Sequence, residues 1–215
     1  MTEYSPEIRK QEPSNPDTVL GYDNLGNPEF TSKASLGGGG GSGGVLLGSV
    51  TASNYASVEF VDGVSGIVLD NTYSKYIIEI LDLVPQTNSV VLWLRTGASG
   101  VFSTGGTDYA FRWARLSSGD SGNQSGGNDS KIEIGGSLSN AAGDSLSGRV
   151  EIWNPSDTTY TTKVIMETIN DSVAAESRYQ YGGGLRNAAV AVDSLQILCS
   201  SGNIASGIFN LYGVA

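Results

Sequence analysis

The chain has 215 residues, 39% of them hydrophobic and 16% charged, with 30 glycines, one cysteine, no histidine and a formal net charge of −10. The acidic balance excludes binding of nucleic acid through its phosphate backbone and argues against an anionic membrane surface, since both need a Lys/Arg face. Without histidine there is no Ser-His-Asp or Cys-His mechanism and no His-ligated zinc, and one cysteine excludes an internal disulfide.

Residues 1–36 hold four of the six prolines, Pro6, Pro13, Pro16 and Pro28, and only scattered apolar residues. Such a segment cannot bury enough apolar surface to form a core. It does carry anchors, at Tyr4, Ile8, Val19, Leu20, Tyr22 and Phe30. Anchors spaced along a Pro-rich strand suit an extended docking arm that becomes ordered on a partner, and 36 residues reach roughly 120 Å when extended. The first residues lack the apolar stretch of a signal peptide, and no run approaches the length of a membrane span, so the expected site of synthesis is the cytoplasm, with no membrane insertion. Residues 37–44, seven glycines and Ser42, form a flexible spacer of roughly 15 Å.

From residue 45 the pattern becomes that of strands. Short β-favouring runs fall at 45–50, 56–61, 65–69, 75–84, 89–95, 109–116, 131–134, 149–153, 159–168, 175–181, 189–199 and 208–212. Most are separated by Gly/Ser/Asn/Asp clusters, and no segment keeps a helical apolar period for three turns. Runs 75–84 and 89–95 are predicted to pair through Gln86-Thr87-Asn88. The fold expected for 45–215 is all-β: an antiparallel β-sandwich of the jelly-roll type behind the arm and linker.

Candidate sites are few. Residues 117–130 form the most polar stretch and read as a surface recognition loop in which Asp120, Asn123, Asn128 and Asp129 offer oxygen ligands, but their spacing fits no EF-hand, so no metal or other cofactor is expected. Trp93 is predicted to pack in the core, whereas Trp153, at a strand end before Asn154-Pro155, is as well suited to stack on a sugar. Tyr179 and Tyr181 share one face of a strand ahead of Gly182-Gly183-Gly184, as a glycan platform or a subunit contact. Cys199 alternates with Leu195 and Ile197 and is predicted to be a buried thiol. With 22 acidic residues, carboxylate pairs are inevitable and uninformative, and the chain is not read as an enzyme.

Three stretches together, Tyr73–Ile80 with Leu83–Asn88, Val91–Thr96 and the closing Ser200–Ala215, resemble a β-sandwich domain of tailed-bacteriophage structural proteins, found at the ends of tail-fibre-like proteins behind a glycine-rich segment. The resemblance covers residues 45–215 and carries no catalytic residues. It implies a non-enzymatic virion protein, made in the host cytoplasm and displayed on the virion surface, with the sandwich acting as a fibre-like or host-attachment module; the composition of the arm adds docking on other capsid or tail proteins, and the exposed-aromatic reading adds a host surface glycan as partner. Capsid decoration and a carbohydrate-binding module are the alternatives. Edge strands at high local concentration need cover, and a closed ring supplies it, so a homotrimer is expected, with Tyr179 and Tyr181 at its contacts.

Overall fold

The structure, a computed structural model, describes residues 18–22, 28–32, 44–70, 72–118 and 121–215. The chain divides into two units, Met1–Ser42 and Gly43–Ala215. In the first, β1 (Thr18–Tyr22) and β2 (Pro28–Ser32) pair antiparallel, with Leu20 opposite Phe30 and Tyr22 opposite Pro28. Four of the arm's anchors therefore belong to paired strands: Val19, Leu20 and Tyr22 on β1, Phe30 on β2. Tyr4 and Ile8 lie outside the described residues.

The second unit is all-β. Its strands are β3 (Val45–Tyr55), β4 (Val58–Val61), β5 (Lys75–Pro85), β6 (Val90–Ala98), β7 (Val101–Phe102), β8 (Tyr109–Ser117), β9 (Ser121–Asp129), β10 (Ile132–Leu138), β11 (Leu146–Trp153), β12 (Lys163–Asp171), β13 (Ser177–Arg186), β14 (Ser194–Cys199) and β15 (Ile204–Val214). They form two antiparallel sheets. An eight-stranded sheet runs β3-β15-β5-β11-β12-β13-β8-β9, and a five-stranded one runs β10-β6-β14-β4 with β7 on β6. Eight of these strands, β3-β15-β5-β11 facing β4-β14-β6-β10, have the interleaved order of a jelly roll. The other strands are insertions: β12 and β13 between β11 and β14, and β7 to β9 between β6 and β10. Four of them widen the large sheet.

Alternation explains which side chains enter the core. On β5, Tyr76, Ile78 and Ile80 are fully buried while Lys75, Ile77 and Glu79 point outward; on β15, Phe209 and Leu211 are buried between outward Ile208, Asn210 and Tyr212. They meet Phe60, Leu92, Leu94, Leu195 and Ile197 of the small sheet in one cluster. Each such side chain contributes about 1.5–3 kcal/mol by leaving water. Tyr109 ties the layers together: its hydroxyl accepts from the Thr96 amide at 2.8 Å and donates to the Thr96 carbonyl at 3.0 Å. Strand β10 lies over β12, β13 and β8. Its irregular register frees carbonyls that satisfy polar groups beneath it. Thr168 donates to the Ile134 carbonyl at 3.1 Å, and the Gln180 amide donates to the Gly136 carbonyl at 3.3 Å and to Asn170 Oδ1 at 2.6 Å.

Several expectations are corrected. Strands β5 and β6 do not pair; each joins a different sheet, and the turn between them carries the chain across the sandwich. Segment 65–69 is not a strand: Ser65 and Gly66 form a turn with φ of 53° and 81°, and the Gly63 amide donates to the Ile67 carbonyl. Within 189–199 only Ser194–Cys199 is a strand. The polar stretch 117–130 is not mainly a loop: Ser121–Asp129 is the edge strand β9, paired along β8. Main-chain hydrogen bonding to an open edge needs no apolar side chain, so hydropathy does not reveal it. Trp93 is not in the core but on the outer face of the small sheet, flanked by Arg95 and Lys131 at 5.7 and 5.2 Å from its ring centroid. Cys199 is buried beside Leu195 and Ile197, as its alternation predicts.

Gly182-Gly183-Gly184 does not end its strand but lies inside β13. Gly182 faces Trp113 and Gly184 faces Phe111, and both aromatic rings are buried. A Cβ on Gly182 would lie 2.5 Å from Trp113 Cα and 2.6 Å from its Cβ, whereas one on Gly106 would meet nothing within 4 Å. Gly182→Ala is therefore expected to lower stability by about 1–3 kcal/mol, and Gly106→Ala to change it by less than about 0.5 kcal/mol, in urea unfolding. Equal midpoints for the two variants would contradict this packing.

Candidate functional site

The outward face of the eight-stranded sheet has no second layer over it within the Gly43–Ala215 unit. Strand registers order its side chains in rows. One row runs Lys75, Trp153, Lys163, Leu185 and Ala110, and the next runs Tyr212, Ile77, Glu151, Ile165, Gly183, Arg112 and Ser125. A third runs Asn210, Glu79, Arg149, Glu167, Tyr181, Ala114 and Asn123, and beyond it lie Ile208, Leu81, Ile169, Tyr179 and Leu116. Much of the apolar surface is open: Ile165 and Ile169 are each 51% exposed, Leu116 52%, Tyr181 44% and Trp153 40%. Isolated exposed apolar residues need no explanation, but a set sharing one flat face marks a contact surface.

At one end the first two rows enclose a groove of about 830 Å³. Gly183 and Ala110 keep its floor low, while Trp153, Ile165, Leu185 and Arg112 stand around it. Lys75 Nζ lies 4.9 Å from the Trp153 ring centroid and 3.5 Å from Glu151 Oε2, which fixes the lysine between a carboxylate and an aromatic face. No Asp or Glu lines the groove; Arg112, Lys163, Asn154 and Ser125 supply its polar groups.

At the other end Tyr179 and Tyr181 stack with centroids 5.6 Å apart and ring planes 29° apart. The Tyr179 hydroxyl donates to Glu167 Oε1, and Arg149 Nη2 lies 2.9 Å from Glu167 Oε2. The tyrosine hydrogen bond, then the Arg149 charge, hold the Glu167 carboxyl below its ordinary range; the carboxylate in turn raises the tyrosine. Trp153, Tyr179 and Tyr181 thus share one surface, with Asn123 on the same face through β9. Asn128 is exposed near the end of β9, and Asp129 pairs with Lys131 Nζ at 2.6 Å. Asp120 lies outside the described residues. Among the described residues no three His, Cys, Asp or Glu side chains are grouped to hold a metal ion. Arg112, Lys163, Ile165 and Gly183 are the groove residues that sequence reasoning missed. They sit on separate strands, and only the pairing register brings them together.

Away from this face, Cys199 is shielded, and burial pushes its thiol from an ordinary 9.0 up to about 11. The native state therefore holds the thiol protonated, a component of stability that is complete below the unfolded pKa and is lost as pH rises from 9.0 through about 11. Chemical denaturation over that interval should show parent stability falling relative to Cys199→Ala, and iodoacetamide at pH 8 should label the native thiol far more slowly than the unfolded one. Equal labelling rates would mean that the thiol is accessible. In comparisons with known proteins, no family model, no curated protein and no solved structure matches the chain.

Proposed function

We propose that the chain is a non-enzymatic structural protein of a tailed-phage virion, docked through residues 1–36 and displaying its sandwich as a fibre-like or host-attachment module. The observation that carries this reading is the outward face of the eight-stranded sheet, a broad surface with exposed apolar and aromatic side chains and a groove lined by cations rather than carboxylates. A surface of that kind adheres; a glycan-cleaving cleft needs a pair of carboxylates across the scissile bond. The resemblance of residues 45–215 to phage β-sandwich domains points the same way, and the jelly-roll order is compatible with it. The capsid-decoration alternative shares the arm and the sandwich but places the protein on the head.

Electron microscopy of intact particles carrying a labelled copy tests the reading. Density on the tail or its fibres is expected; density on the head shell would replace it with decoration, and absence from particles would end both. Deleting residues 1–36 should leave a folded sandwich that no longer joins the particle, and normal incorporation of the truncated protein would place the docking contact in the sandwich instead.

The same face supports a homotrimer through the Tyr179–Tyr181 end, where Ile169 and Leu116 adjoin the stacked rings. Residues 45–215 carry sixteen acidic and nine basic side chains, so their association must rest on apolar and hydrogen-bonded contact rather than on ion pairs. Light scattering of the full chain should give a trimer mass at low and at high ionic strength, and Tyr181→Asp should shift it to monomer. A monomer in both salts, or a trimer indifferent to Tyr181→Asp, would remove this interface.

A further inference from the structure

From the groove beside Trp153 we infer a binding site for an anionic saccharide, a sugar chain carrying carboxylate or phosphate groups. The inference deepens the host-attachment reading and names its ligand class. Three features of the groove carry it. First, its shape: it crosses β11, β12, β13, β8 and β9, and five strands at about 4.8 Å spacing give it a length of roughly 19 Å, suited to a chain rather than to a compact ligand. Second, Trp153 is 40% exposed and forms one wall, with Lys75 against its ring. A partly exposed indole offers the flat apolar surface on which the C–H face of a pyranose stacks, and its neighbouring lysine offers a donor to hydroxyls or an anion.

Third, the charge. The chain carries 22 acidic residues against 12 basic ones, yet the groove is lined by Arg112 and Lys163 and by no acid. Both are exposed, and neither makes an ion pair with a carboxylate among the described residues. Lys163 donates to the Thr161 carbonyl at 3.3 Å, and its charge contributes only weakly to lowering Asp157. Unpaired cations on an acidic molecule are the complement of an anion. Arg112, planar and forked, suits a bidentate carboxylate or phosphate; Lys163, next to Trp153 in the register, is placed to engage the next sugar along. Asn154 and Ser125 add neutral hydrogen-bonding groups at opposite ends.

The test uses the full chain and two charged probes, oligogalacturonate and a phosphorylated oligomannose, with methyl-esterified oligogalacturonate and unmodified oligomannose as uncharged controls. Calorimetry and tryptophan fluorescence should show binding of at least one charged probe, weakened by salt, with its uncharged control bound on the order of tenfold more weakly. The probe that binds identifies the anion. Arg112→Gln and Lys163→Gln should each lower affinity on the order of tenfold, and Trp153→Ala by a similar factor. All three positions are exposed, and thermal melts matching the parent would show that the variants fold. Failure of both charged probes to bind, equal binding of a charged probe and its control, or variants that melt normally and bind as the parent would each overturn the inference. So would loss of self-association in Trp153→Ala, which would make a second copy the occupant. Failure of the virion reading looks different: a protein that binds an anionic saccharide through these residues but never appears on particles.

Discussion

A five-stranded sheet cannot cover an eight-stranded one, and most of what distinguishes this sandwich follows from that mismatch in width. The eight-strand jelly-roll core is balanced, four strands over four, and its interior is apolar. The inserted strands β12, β13, β8 and β9 extend only the large sheet. Their inner side is partly covered by β10, and there the packing changes character. Met166, Trp113 and Phe111 share the space with buried Thr168, Asn170 and Gln180. Hydrogen bonds within such a cluster offset part of the cost of burying it, although Gln180 Oε1 has no partner among the described residues. Register shifts in β10 give it the carbonyls that accept from Thr168 and Gln180, and Gly182 and Gly184 leave room for the β8 backbone opposite, for Trp113 Cβ and for the Ile132 side chain.

The widening has a second consequence on the other side of the same strands. A longer sheet presents more outward positions, and the insertions supply Ile165, Ile169, Tyr181 and Leu116 to that face. Sheet pairing places them in rows at strand spacing, so the surface is pre-arranged and costs little conformational entropy on contact. One break in it is the groove, where Gly183 and Ala110 replace larger side chains between Ile165, Leu185 and Arg112. The glycine run in β13 thus serves both sides of the sheet: two glycines let β8 and the Ile132 side chain pack closely on the inner side, and the one between them lowers the outer floor.

The sequence made the strands legible wherever one face is buried and the other is not. Alternation in β5, β8 and β15 reads directly as core and solvent, and Cys199 falls on the buried side by the same rule. It failed where alternation has no physical cause. β9 is an edge strand whose residues are nearly all small or polar, so it looks like a loop, although the β8 backbone holds it in place. A glycine triplet ordinarily signals a turn, and here the close approach of neighbouring strands and of Ile132 explains it. Trp93 shows a different limit: alternation gives the period but not the sign, and the buried set of β6 is Leu92 and Leu94, with Trp93 outside. Of the candidate site, Trp153, Tyr179 and Tyr181 could be picked out as aromatic residues, but their presence on one surface depends on pairings β11–β12 and β12–β13 that no local pattern encodes.

Electrostatics sharpen the distinction between the two ends of the face. At the tyrosine end Glu167 is held by Arg149 and by the Tyr179 hydroxyl, so docking over that pair leaves neither of the two charges without its partner. At the Trp153 end Arg112 and Lys163 have no ion pair with a carboxylate among the described residues. Covering them with an apolar partner surface would cost free energy, because each cation would lose its water without gaining a counter-charge. A ligand that brings its own anions avoids that cost. The two contacts proposed above, self-association at the tyrosine end and an anionic saccharide at the Trp153 end, thus fall on parts of one face that differ in how their charges are paired.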